Sequence, residues 1–182
     1  MRRVRYSVAM SLDGYIAGPT GEYDWIISDP EIDFQAIFAE FDTFLIGRKT
    51  FEAMAGRASR GVRTFVFSHT LKQADYPKVT LVSENAAEVV AGLRAESGKD
   101  IWLFGGGILF RSLLDAGLVD GVEVGVIPVL LGGGIPLLPA PATRTELKLT
   151  NHHVYKSGIA LLKYITTRSD AKQASKRRTA RP

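Results

Sequence analysis

Apolar side chains alternate with others at Val4, Tyr6, Val8 and Met10, which predicts a first strand with one buried face; Asp13-Gly14 then supplies a turn. Residues 17–29 are rich in Gly, Pro, Thr and Asp and predict a loop, one that carries an apolar load in Tyr23, Trp25, Ile26 and Ile27. Ser28 and Glu31 have the spacing of a capping box with Pro30 between them, so a helix is predicted to begin here and run to about residue 40. Phe34, Ile37, Phe38 and Phe41 fall on its inner stripe. The continuous apolar run at 43–46 predicts a strand covered on both faces, followed by a short helix over about 49–55. Further short strands are predicted at 64–67 and 79–82, and an amphipathic helix at 85–97 closed by Gly98. Another strand at 101–104 runs into Gly105-Gly106-Gly107 and a helix ending near Gly117. The last third changes character. Residues 122–129, 146–155 and 159–165 read as three strands with no helix between them, the final two joined as a hairpin by Ser157-Gly158.

Strands alternating with helices, then a run of antiparallel strands, predict an α/β fold: a mixed, mainly parallel sheet with helices on both faces and a C-terminal antiparallel hairpin. At 182 residues, one domain over 1–166 accounts for nearly the whole chain. In open α/β sheets ligands sit beyond the carboxyl ends of the strands, which directs attention to the loops after Met10, Ile46, Phe67 and Phe104.

Composition narrows the functional classes. Hydrophobic residues make up 46% and charged residues 23%, ordinary globular values. No apolar run reaches the roughly 18 residues that span a bilayer, and the basic start is not followed by an apolar signal segment, so a cytoplasmic protein without a membrane partner is expected. The chain has no cysteine, which excludes disulfides and thiolate chemistry. The net charge of +4 owes much to residues 167–182, where Lys172, Lys176, Arg177, Arg178 and Arg181 are interspersed with Ser, Gln and Ala; this reads as a flexible basic tail. The remaining body is close to neutral, so nucleic acid is not the expected partner.

Two of the four loops suit phosphate. Gly47-Arg48-Lys49-Thr50 brings backbone N–H groups, two cations and a hydroxyl to a helix start. Gly105-Gly106-Gly107 lets an anion approach the backbone at another. Each has a plain structural alternative, a tight strand-to-helix turn or a solvated cation pair; two on one sheet edge point to a dinucleotide. A Rossmann fingerprint does not fit, because its third glycine falls on Phe110.

Four motifs recur here in a familiar order: Ala9-Met10-Ser11-Leu12-Asp13-Gly14-Tyr15-Ile16-Ala17, the Gly-Arg-Lys-Thr-Phe-Glu run at 47–52, the triple glycine at 105–107, and the run from Ile127 through Gly132-Gly133-Gly134 to Leu137. In these the chain resembles the dihydrofolate reductase-like superfamily, particularly the branch related to the reductase domain of the riboflavin-biosynthesis deaminase-reductase, over about residues 4–166. The resemblance implies a three-layer reductase fold and an NADPH site. In that site Ala9 and Ile16 border the nicotinamide, and Gly47, Arg48, Lys49 and Thr50 hold the pyrophosphate and the adenosine 2′-phosphate. Ser68 and His69 make adenosine-side contacts, while Gly105, Gly106 and Gly107, with Ile108 and Leu109, close over the pyrophosphate and nicotinamide. It also implies a first-helix carboxylate that orients the substrate ring and assists its protonation: Glu31 by spacing, with Asp33 and Asp29 as near alternatives. Glu31 has a competing role as the third residue of the capping box. Trp25 falls near the family's active-site-loop tryptophan and can equally pin its loop to the core.

His152 and His153 point to opposite faces of a strand, so they cannot share a metal, and no metal site is expected. Three function classes follow: an NADPH-dependent reductase of a pterin-like or pyrimidine-like ring, a stand-alone riboflavin-pathway reductase, and a non-catalytic NADPH-binding protein. The apolar late strands, and the dimeric habit of the riboflavin branch, add the expectation of a homodimer.

Overall fold

The computed structural model describes residues 1–56 and 61–167; the basic tail from residue 168 lies outside them. Its main sheet has eight strands in the order β5-β4-β3-β6-β1-β7-β10-β9. In chain order these are β1 (Val4–Ser11), β3 (Phe41–Gly47), β4 (Arg63–Phe67), β5 (Thr80–Val82), β6 (Asp100–Gly105), β7 (Gly121–Ile127), β9 (Glu146–Val154) and β10 (Ala160–Thr167). All pairs from β5 across to β7 are parallel, and β10 runs antiparallel to both β7 and β9. A two-stranded ribbon of β2 (Tyr15–Ala17) and β8 (Ile135–Pro136) stands apart.

Alternation along the strands divides the core into two layers. Val4 and Tyr6 of β1, Leu45 of β3 and Ile101 and Leu103 of β6 pack beneath α3 (Ala86–Ala95) and α4 (Gly107–Asp115), with Tyr6 stacked on Phe110 at 3.9 Å. The opposite sides of β3 and β6 present Phe44, Ile46 and Trp102 to α1 (Phe34–Ala39) and α2 (Arg48–Ala53). Gly117, at φ +70°, ends α4: its N–H donates to Leu114 O while Leu118 N donates to Leu113 O, the paired closure that favours glycine.

The first helix departs from expectation. It begins at Phe34 rather than near Ser28, and its N-cap is Asp33, whose Oδ1 accepts from Ala36 N at 2.9 Å. Asp29 accounts for the shift, because its Oδ1 takes the Glu31 N–H and holds that segment as a turn. The capping box therefore does not form. Phe41 instead opens β3 and is buried there, Ile37 packs against that core, Phe38 lies over Trp102 while remaining 41% exposed, and Phe34 is 51% exposed. The β2–β8 ribbon, made of three and two residues, has no periodic signal to announce it.

Strand β9 pairs with β10 through a bulge. Asn151 opposes Lys163 while Leu149 opposes Tyr164, leaving Thr150 as the extra residue, its Oγ1 donating to Lys163 O. Beyond β1 the sheet carries a buried ionic row: Arg5 Nε donates to Glu123 Oε1 at 2.6 Å, Arg5 also pairs with Glu40, and Lys163 Nζ lies 3.6 Å from Glu123. Burial opposes the Arg5 charge, yet the hydrogen bonds and charges of Glu123 and Glu40 more than offset it and lift the guanidinium well above its ordinary pKa. Removing one partner strands the other. Glu123→Leu is expected to destabilise the fold by about 3–5 kcal/mol, and the double replacement Arg5→Met/Glu123→Leu by clearly less. Equilibrium urea unfolding of the two variants checks this.

Candidate active site

Because β1, β3, β4, β6 and β7 run parallel, their carboxyl ends open onto one edge of the sheet, and the loops after them meet there. The decisive pairing is between β3 and β6, where Ile46 lies opposite Gly105. Gly47 is both the last residue of β3 and the N-cap of α2, so Arg48, Lys49 and Thr50 form the first turn of that helix. Gly106, at φ +100°, is the N-cap of α4 and offers no side chain to its first-turn N–H groups. A Cβ on Gly105 would stand 2.9 Å from Thr50 Cγ2, and one on Gly106 would stand 3.4 Å from Gly47 Cα. The two glycine loops thus form a single cradle whose rim is backbone. Gly107 closes it from behind, since a Cβ there would fall 2.9 Å from Pro136 O.

The other residues predicted for this site are distributed as follows. Ala9 is half-buried on β1, one strand from β6, and Ile16 is half-buried on β2. Ile108 is exposed at the start of α4, whereas the Leu109 side chain is buried in the core. Arg48 and Lys49 are exposed, and Arg48 holds Glu52 at 3.1 Å one helical turn on. His69 is exposed at the end of β4, but Ser68 is buried with its Oγ accepting from Thr70 N and Leu71 N, so its hydroxyl serves the local turn. Trp25 is half-buried and donates from Nε1 to Glu22 O, pinning its own loop.

Three carboxylates stand in the segment leading into α1, each with a different commitment. Asp33 caps α1, and Glu31 is exposed in an ion pair with Lys156 at 2.7 Å. Asp29 is buried: besides the Glu31 N–H, its Oδ2 accepts from Ser157 N at 3.0 Å, which fastens the β9–β10 hairpin to the loop before α1. Neither Asp29 nor Asp13 was foreseen in this structural role. Asp13 accepts from Ser11 Oγ, Leu131 N and Gly132 N, tying the turn after β1 to the Gly132-Gly133-Gly134 loop after β7. The Asp13-Gly14 turn signal was visible; its partner, more than a hundred residues away, was not. Both His152 and His153 are exposed.

The profile of the RibD C-terminal domain matches residues 2–161. The chain belongs to the RibD C-terminal domain family. Its relatives include the Bacillus subtilis (strain 168) protein YyaP, 34% identical over 178 residues that cover 90% of this chain and 94% of YyaP. A putative riboflavin biosynthesis protein from Shewanella sp. PV-4 superposes with a TM-score of 0.77 at 26% identity, covering 91% of this chain and 99% of that one. A dihydrofolate reductase from Enterococcus faecalis, complexed with NADP(H), superposes with a TM-score of 0.69 at 18% identity, covering 91% and 97%. The fold is dihydrofolate reductase-like, as its sequence motifs imply. Among the described residues no helix is long and apolar enough to cross a membrane.

The Asp29 clamp makes the hairpin sensitive to acid. Accepting the Glu31 and Ser157 N–H groups, with Lys156 nearby, holds the Asp29 carboxyl below its ordinary pKa. Its contribution is therefore complete above the unfolded value of about 3.9 and is lost as the pH falls below that, through the lower folded value. Amide exchange at Ser157, corrected for intrinsic rates, is expected to stay slow down to about pH 4 and to accelerate below it. Asp29→Asn, which keeps one acceptor, is expected to speed it roughly two- to tenfold at neutral pH.

Proposed function

We propose that this protein is an NADPH-dependent oxidoreductase that reduces a flat pterin-like or pyrimidine-like heterocycle. The observation that carries the reading is the glycine cradle formed by Gly47, Gly105 and Gly106, where two backbone turns at helix starts come together, a Cβ on Gly105 would crowd Thr50, and the open backbone suits a pyrophosphate. Thr50 stands at its rim and the first turns of α2 and α4 open onto it. Arg48 and Lys49, with His69 on the neighbouring loop, are suited to a 2′-phosphate, while Ala9, Ile16 and Ile108 border the nicotinamide. NADPH, when bound, supplies the hydride. The chain's own residues do the rest: the α1 side of the sheet receives the ring, the aromatic layer around Trp102 and Phe104 backs it, and the loop carrying Trp25 limits access of water. Of the three carboxylates, Glu31 is the one whose oxygens are not committed to backbone N–H groups. Its pair with Lys156 suits it to orient a ring nitrogen and to keep a proton there as hydride arrives, whereas Asp33 is bound to its cap. The substrate is a small molecule, and riboflavin-pathway chemistry is the alternative setting for the same reaction.

The test combines binding and turnover. NADPH is expected to bind more tightly than NADH in a tryptophan-fluorescence titration, and Arg48→Ala to narrow the gap by roughly tenfold or more. Equal affinity of the unaltered protein for both cofactors would refute the 2′-phosphate assignment. Glu31→Gln is expected to lower turnover by about 10²-fold with NADPH affinity unchanged.

The assembly we propose is a homodimer. On the α4 side of the sheet, Leu147 and Leu149 of β9 are 43% and 47% exposed and Val154 is 66% exposed, an apolar edge beyond what a lone domain presents comfortably. Light scattering at micromolar concentration is expected to give twice the 19.9 kDa chain mass. A monomer mass would exclude it.

A further inference from the structure

Strand β1 lies in the middle of the sheet, between β6 and β7, yet only its first half is sealed there. Val4, Arg5 and Tyr6 are buried, whereas Ser7 through Met10 are half-buried. The reason is on the β6 side. With β7 the pairing runs on to Ser11 opposite Ile127; with β6 it stops at Tyr6 opposite Leu103. At the same point β6 takes up one extra residue against β3, because Leu103 is paired with Leu45 and Gly105 with Ile46, which leaves Phe104 over. Past Leu103, then, β6 follows β3 and β1 follows β7. A slot opens between the second half of β1 and the glycine cradle at the end of β6.

Parting two paired strands leaves main-chain groups without partners. In a parallel ladder the N–H and C=O of one residue point to the same neighbour, and alternate residues point to opposite neighbours. Ile101 N donates to Arg3 O, so Arg3, Arg5, Ser7 and Ala9 face β6. An unbroken β6 would bring the Gly105 N–H to Ser7 O. The Trp102 indole fills that place instead: its Nε1 donates to Ser7 O at 2.9 Å. Trp102 is paired with Arg5, so the ring leans forward to a residue two positions further along β1. It is 7% exposed and packed among Phe38, Phe41 and Phe104 at ring-centre distances of 5.2, 4.8 and 5.1 Å, with Phe44 edge-on at 5.4 Å. A side-chain donor fixed by its own packing thus ends the ladder where a main-chain donor would have continued it.

Resting on the reductase reading above, we infer that Trp102 is a positioning residue for the nicotinamide end of the cofactor: by taking Ser7 O it holds β1 and β6 apart and keeps the slot beside Ala9 open. Without the indole N–H, Ser7 O is left to β6 or to water, and the slot loses its fixed width. The proposed adenosine end, at the first turn of α2 and the loop after β4, stands at β3 and β4 on the far side of β6 and does not depend on this bond.

The experiment alters Trp102 in the full chain in two ways and measures binding by calorimetry. Trp102→Phe removes the donor and part of the ring. Incorporation of 3-benzothienylalanine at position 102 keeps the shape of the ring and exchanges N–H for sulfur, so the packing of the aromatic layer survives and the result stands even where Trp102→Phe does not fold. The probes are NADPH and adenosine 2′,5′-bisphosphate, which lacks the nicotinamide half. With either alteration NADPH is expected to bind about tenfold more weakly or worse, and the bisphosphate to stay within about twofold of its affinity for the unaltered protein. Equal losses for the two ligands would make Trp102 a packing residue, and unchanged NADPH affinity with the sulfur isostere would make its N–H idle; either result overturns the inference and leaves the reductase reading standing. Unaltered protein that does not bind NADPH would overturn the reductase reading and this inference with it.

Discussion

The close approach of two backbones at the ends of β3 and β6 is the constraint around which the molecule is arranged. Ile46 and Gly105 are paired, a Cβ on Gly105 would fall 2.9 Å from Thr50, and Gly47 and Gly106 then pass so closely that a Cβ on either would touch the other's backbone. Glycine at these positions costs chain entropy and contributes no packing, so the neighbourhood must supply the stability that the site does not. It does so with the aromatic layer of Phe44, Trp102 and Phe104 on one side and the stacked Tyr6 and Phe110 on the other. In the proposed phosphate site, backbone donors held this rigidly would need no further reorganisation to meet an anion.

The opposite end of the cleft is built on different physics. There the sheet uses charge: Arg5, Glu123, Glu40 and Lys163 satisfy one another where β1, β7 and β10 meet, and Asp29 reaches across to the hairpin. Ion pairs of this kind contribute little net stability compared with apolar packing, but each member is costly to leave alone, so they fix register and orientation. Helix α1 needs such external fixing, because it has six residues and buries none of them fully. Its position is set by Asp33 at its start, Asp29 just before it and the ring of Phe38 against Trp102.

Much of this was legible in the residues alone. Strands with a strict two-residue alternation, such as β1, and glycine-terminated helices, such as α4, are governed by local rules, and they fall close to where the pattern puts them. The strand-to-helix turns at Gly47 and Gly105-Gly106-Gly107 were legible as well, since glycine after an apolar strand marks such turns. The failures share a cause. Ser28 and Glu31 have the right spacing for a cap, but Asp29 has a better partner in Ser157, 128 residues away, and a one-dimensional pattern does not contain that competitor. Trp25 and Ser68 could be placed in the right loops, yet whether a polar atom faces a ligand or its own turn depends on where the turn closes.

The bulge at Thr150 settles what strand β9 is. An unbroken strand would align Leu147 and Leu149 with Asn151 and His153 on one side. The single extra residue breaks that phase, so the leucines share a face with Tyr164 and the polar pair shares a face with Lys163 and Leu161. Loss of one codon at this point would therefore act at two places at once, turning leucines into the cleft or polar groups into the apolar edge according to which half of the strand kept its register. In this chain the two faces of β9 are coupled at the level of insertion and deletion, and a change in the length of β9 is a heavier mutation than almost any change in its composition.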